Sequence, residues 1–225
     1  MWAYKIAFEV PYDRPARQRE RLHIDAPIRA DTWIGRGQPP GARLQRRWRN
    51  PPRLNVLDRA LTLVYVLWEI EPHAILAWIL VKDPERFPLA ALRLGATFDA
   101  TLLGYFAAPT APPWWASERE GRMGRAVRRV TLEVVKDVRG DPRPGIDHSP
   151  GANPWAAFPS DHFASSLMAA AVLADSSPRG AAAAGLYALA LGFALVYTGE
   201  HYVIDLIAGA MLAAAVYVAA GKILT

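Results

Sequence analysis

The sequence contains no cysteine, which excludes disulfides and thiolate-held metals and leaves no redox compartment to be read from it. It holds no internal repeat and no nucleic-acid-binding motif. The N-terminal stretch MWAYKIAFEV lacks the long apolar segment and small-residue cleavage site of a signal peptide. Residues 1–53 also lack any long apolar run. They are polar, rich in arginine and interrupted by Pro11, Pro15, Pro27, Pro39, Pro40, Pro51 and Pro52, which predicts an irregular arm with short helices at most.

What the chain does have is apolar residues in blocks. Of its 225 residues, 52% are hydrophobic, and eight Trp and eight Tyr supply rings suited to a membrane–water interface. The net charge of +5 is uneven: residues 1–59 carry 13 Lys and Arg against 6 Asp and Glu. Such an arm reads as a solvated tail or a contact for anionic lipid, with nucleic acid set aside for want of a motif.

A helix needs about 20 apolar residues to cross a hydrocarbon core of about 30 Å. Five stretches meet or approach this: residues 61–81, 87–107, 156–174, 181–198 and 202–221. The expected fold is therefore all-α, a polytopic transmembrane bundle of about five spans (residues 54–225) behind a basic arm (residues 1–53). Residues 108–155 form a polar connection with an expected surface helix near 118–138. Pro72 is placed to break the first span, between Glu71 and His73. Glu69, Glu71 and Asp99 read as an internal polar network, and Trp114, Trp115 and Trp155 as interface anchors.

Span order brings three segments to one membrane face: residues 109–114, the start of the third span at Phe158-Pro159-Ser160-Asp161-His162, and the start of the fifth at His201. His201 and Asp205 are spaced i, i+4, so on a helix they share a face one turn apart. A carboxylate beside an imidazole fixes its tautomer and presents the other nitrogen as a nucleophile or base. Ser160 and His162 fall at a helix start, where unpaired amides favour a phosphate, and a second histidine there can protonate a leaving alkoxide. Each pattern alone is ordinary, since Pro-Ser is also a common helix cap. Two histidines 39 positions apart, each opening an apolar span on one face, are not.

This combination resembles the type 2 phosphatidic-acid phosphatase superfamily. Pro159-Ser160-Asp161-His162 looks like its second motif, and His201 with Asp205 like its third. With Ala111-Pro112-Pro113-Trp114 the likeness is greatest to the branch of inositolphosphotransferases and inositol phosphorylceramide synthases, over residues 55–221. The resemblance implies a helical bundle, no metal or other cofactor, and a phosphohistidine intermediate. His201 would attack phosphorus, Asp205 would orient it, His162 would protonate the leaving alcohol and activate water or an acceptor, and Ser160 would bind phosphoryl oxygens. Lys136 with Arg143-Pro144 fits the first motif, although a chance match in an arginine-rich loop fits equally; nearby arginines could serve instead. Where the phosphatase branch carries an arginine six positions before the nucleophile, this chain has Leu195, which favours the transferase branch.

The expected activity is thus transfer of a phosphoryl or phospho-alcohol group from a lipid phosphate or phospholipid to a polyol or water. A plain phosphatase acting on phosphatidic acid or an isoprenyl phosphate is the nearest alternative. A transport or binding protein using Glu69, Glu71, His73 and Asp99 is a more distant one. The 13 Lys and Arg of residues 1–59, and 8 more in residues 108–155, place the site in the cytosol by the positive-inside rule, in an inner or plasma membrane.

Overall fold

The computed structural model describes residues 15–49, 51, 53–140 and 153–222. Eleven α-helices are described: α1 (Pro15–Arg19), α2 (Asp25–Ile34), α3 (Pro40–Trp48), α4 (Val56–Leu67), α5 (Glu71–Lys82), α6 (Phe87–Ala107), α7 (Pro113–Glu118), α8 (Val130–Arg139), α9 (Asp161–Leu173), α10 (Pro178–Thr198) and α11 (Val203–Gly221). No strand is present among the described residues, in keeping with the all-α expectation.

The helices begin and end where the sequence supplies caps. Asn55 and Asp58 form a reciprocal capping box at α4, each side chain accepting from the other's amide at 2.9 Å. Ser177 and Pro178 open α10. Gly199 closes it at φ +82, the left-handed conformation that costs a side-chain-bearing residue strain.

Two helices, α10 and α11, are long and apolar enough to cross a membrane, and α4 with α5 makes a third if that pair, bent by 45°, is one span. This narrows the expected five. The bend falls just before Pro72, which occupies the first turn of α5, where its missing N–H costs little. α6 has the length, at 21 residues, but carries Arg93 and Asp99. α9 has 13 residues, a length of about 20 Å, because residues 156–160 that were expected to extend it are non-helical. Leu186, Leu189, Met211 and Val218 present bare apolar side chains outward on α10 and α11, as a lipid-facing surface requires.

The short α9 is the hub, packed against α5, α6, α10 and α11. Its contact with α11 is backbone-close: a Cβ on Gly209 would stand 2.6 Å from Ser160 O. The surface helix expected near 118–138 is interrupted, since Gly121 and Gly124 take positive φ, and α8 starts only at Val130. Trp114, Trp115 and Trp155 are buried in a cluster with Leu22 and Ile24 instead of lying at an interface. Of the expected polar network, Glu71 accepts from Ser166 Oγ at 3.1 Å, while Glu69 and Asp99 are exposed.

Residues from the basic arm pack onto the bundle. Gln45 on α3 donates to Tyr197 O (2.8 Å) and Arg128 O (2.9 Å) and accepts from Arg128 N (2.9 Å). Arg49 is buried against Asp58 and Glu133, and Tyr197 Oη donates to the same Asp58 at 2.7 Å. Removing one member of such a knot leaves a buried charge uncompensated. On α2, Asp31 is buried against the start of α11.

Burial drives the Asp31 carboxyl up from 3.8 to about 6, against two amide hydrogen bonds that pull it down. The folded protein thus binds this proton more tightly than the unfolded chain does. The stability it contributes is greatest below about pH 4 and is lost as pH rises through about 6, at most about 3 kcal/mol. Asp31→Asn cannot titrate. The melting temperature of the wild type relative to Asp31→Asn, in detergent, is therefore expected to fall from about pH 4 to about 6.5 and then level off. A difference independent of pH contradicts this.

Candidate active site

The site lies where three chain segments meet at one end of α9, α10 and α11. Residues 22–24, 109–111 and 155–157 are stitched together: His23 N donates to Pro109 O (2.9 Å), Ala111 N to His23 O (3.0 Å), Thr110 N to Trp155 O (2.9 Å) and Ala157 N to Thr110 O (3.3 Å). Trp114 N donates to Gly199 O at 3.0 Å. The turn after Gly199 is fixed by the amides of Glu200 and His201, which both donate to Leu195 O. His201 therefore projects from a short, fully hydrogen-bonded corner between two long helices.

Its ring has two acceptors on one side. Nδ1 lies 2.9 Å from Ala157 O and 3.5 Å from Asp205 Oδ2. A carbonyl only accepts, so Nδ1 carries the hydrogen and Nε2 of the neutral ring keeps its lone pair. That nitrogen points at the second histidine: His201 Nε2 and His162 Nδ1 are 3.3 Å apart, with the rings edge-to-face at 5.4 Å between centroids. His162 in turn packs against the rings of Trp68 (4.1 Å) and Tyr65 (5.1 Å). Trp68 sits in the bend between α4 and α5, and its Nε1 donates to Ser165 Oγ at 2.8 Å.

Asp205 is fully buried and does two jobs, since the same Oδ2 that faces His201 accepts from Tyr202 N at 2.8 Å. Ser160 caps α9, its Oγ accepting from Phe163 N at 3.4 Å, and its N donates to Asp205 O at 3.0 Å. Thus four of the residues singled out in the sequence, His162, His201, Asp205 and Ser160, meet at one place. Lys136 lies on α8 and, among the described residues, makes no hydrogen bond or ion pair with these four. Arg143 lies outside the described residues.

Two contributors were not singled out by the sequence, although nearby arginines were an open alternative there. One is Ala157 O, a backbone acceptor that any residue type would supply. The other is Arg129. Its Nε is 3.0 Å from Glu200 Oε1, and its guanidinium lies 4.5 Å above the Trp114 ring. Thr131 Oγ1 donates to the same Glu200 oxygen. Glu200 immediately precedes His201 in the chain. Burial pulls the Arg129 pKa down, but Glu200, Tyr65 and Glu118 together outweigh that and hold it above its ordinary value. Leu195, the position where an arginine was missed in the sequence, is buried apolar core.

The family model of the PAP2 superfamily matches residues 44–219. No curated protein sequence matches the chain. Among solved structures, the crystal structure of Aquifex aeolicus LpxE is similar, with a TM-score of 0.54 and 18% identity over 80% of this chain and 92% of that one, a likeness of fold.

Proposed function

The chain belongs to the PAP2 superfamily, and on that premise we propose that it is a membrane phosphatase that removes a phosphoryl group from a lipid phosphate through a phosphohistidine at His201. The observation that carries this is the His201 ring itself. Nδ1 is tied to Ala157 O and Asp205, while Nε2 is presented to a second imidazole 3.3 Å away.

In the first step His201 Nε2 attacks phosphorus and the bond from phosphorus to the lipid oxygen breaks. His162, in its imidazolium form, gives its Nδ1 proton to that oxygen and is left neutral. In the second step His162 takes a proton from water, the water oxygen bonds to phosphorus, and the N–P bond breaks to release inorganic phosphate. Asp205 balances the positive charge that the His201 ring gains on phosphorylation, in a buried setting where such a charge is worth most. An attacked phosphorus must sit about 3–3.5 Å from Nε2, so the substrate parts two rings that now touch. The movable partner in this scheme is His162, because Trp68 against it lies in the bend of the α4–α5 pair.

Phosphoryl transfer needs cations around the phosphate. Arg129 supports this role by its place beside Glu200 and Trp114. With a cation supplied by Arg129, the residue just before α8, the apolar Leu195 no longer argues for a transferase over a phosphatase. A lipid phosphate panel of phosphatidic acid and isoprenyl phosphate, assayed with and without inositol, separates the two. The expected result is inorganic phosphate released equally in both cases, and a fall of about 100-fold in kcat/KM in Arg129→Ala. A new phospholipid formed only with inositol would show a transferase, and wild-type turnover in Arg129→Ala would remove that residue from the site.

A further inference from the structure

Helix α11 starts without an acceptor of its own for its first amides. Tyr202, at the cap position, gives no side-chain cap through its phenol, and Asp205, at the third position, spends Oδ2 on Tyr202 N. The amides of Val203 and Ile204 point into protein, not into water. They are met by a residue more than 170 positions upstream: Val203 N donates to Asp31 Oδ2 at 3.1 Å and Ile204 N to Asp31 Oδ1 at 3.0 Å. One carboxylate therefore takes one amide on each oxygen. Asp31 is 1% exposed and sits on α2, which packs against α11.

We propose that Asp31 is a positioning residue for the reaction, holding the start of α11 from outside so that His201 and Asp205 stand in reacting register. The two amides it holds lie between His201 and Asp205 in the chain, so any shift of this helix start moves both. A carboxylate at a helix N-terminus also offsets the positive end of the helix dipole, which no residue of α11 before Asp205 can do. This gives residues 25–34, which precede the segment matched by the family model, a share in the site: the N-terminal arm is the external cap of the helix that carries the nucleophile.

The inference rests on the reading of His201 as nucleophile, and its test is separable from that reading. Full-length Asp31→Ala and Asp31→Asn are compared with the wild type at about pH 7.5, where the Asp31 carboxylate is ionised. Phosphate release from the same lipid phosphate is measured per folded molecule, with folding followed by circular dichroism and gel filtration. Asparagine keeps one acceptor oxygen and alanine keeps none.

The expected result is a fall in kcat of about 10- to 100-fold in Asp31→Ala, a smaller fall of about 2- to 10-fold in Asp31→Asn, and KM within about two-fold in both. Wild-type kcat per folded molecule in Asp31→Ala, with loss only in the folded fraction, would overturn the proposal. If Asp31→Ala does not fold, Asp31→Asn decides: wild-type kcat overturns the proposal and a reduced kcat at unchanged KM supports it. Retained activity in a His201 variant would overturn the phosphohistidine reading, whatever Asp31 does.

Discussion

His201→Ala is expected to lose at least about 10³-fold in kcat for hydrolysis of a lipid phosphate, with the protein still folded. The reason is chemical and local. His201 Nε2 is the lone pair that the corner after Gly199 presents to the site, held by Ala157 O and Asp205 on the far side of the ring. Among the described residues, the other groups at that point have other tasks: His162 serves as acid and base in the proposed scheme, and the Ser160 hydroxyl caps α9. Truncating the ring removes two hydrogen bonds at a buried corner, so a stability loss of about 1–3 kcal/mol accompanies the loss of turnover. Circular dichroism on the variant checks that the two effects are separate. Turnover within ten-fold of wild type in folded His201→Ala would contradict the assignment.

His162→Ala is expected to behave differently, and the difference is the more diagnostic result. In the proposed scheme His162 protonates the leaving oxygen and then activates water. General acid–base catalysis of this kind contributes about 10²–10⁴-fold. A lipid alkoxide is a poor leaving group, so both steps slow and turnover of the lipid phosphate falls by about that factor. An aryl phosphate leaves without a proton. With it, the first step is largely spared while the second is not, so the phosphoenzyme accumulates. The expected record is a burst of phenol close to one per enzyme followed by a slow steady rate, measured by rapid mixing. Equal slowing with both substrates and no burst would mean that His162 acts in another way.

The parts of the site legible in the sequence are those with a local signature. His201 and Asp205 lie four positions apart, although His201 stands in the corner before α11 and not on the helix itself; His162 and Ser160 lie at a helix start, and α6 runs over the residues expected for it, Phe87–Ala107. The illegible parts are contacts between distant positions or through backbone atoms. Asp31 holds amides 172 and 173 positions away, and Gln45 bonds to a backbone carbonyl 152 positions away. No periodicity or cap signal in a proline-broken, arginine-rich arm announces such partners. The three tryptophans misled for a related reason: beside a membrane, the same rings suit an interface or a packed cluster, and contact with Leu22 and Ile24 decided for the cluster. The third apolar stretch ran short because Phe158-Pro159-Ser160 turns the chain so that Ser160 N can reach Asp205 O. A hydropathy count is blind to that bond.

Arg129 shows the limit from the other side. It is one of several arginines in residues 108–155, and only the fold places its guanidinium over Trp114 and against Glu200. The motif-like spacing from Lys136 drew attention further along the chain than the cation that stands beside His201's own neighbour.

The central claim is that a phosphoryl group resides on His201 during turnover. It is tested most directly by rapidly quenching His162→Ala during reaction with an aryl phosphate and locating the phosphoryl group by mass spectrometry under alkaline conditions. The account predicts an acid-labile, base-stable phosphate on His201. An unmodified His201 during the burst, or a phosphoryl group found on another side chain, would contradict it.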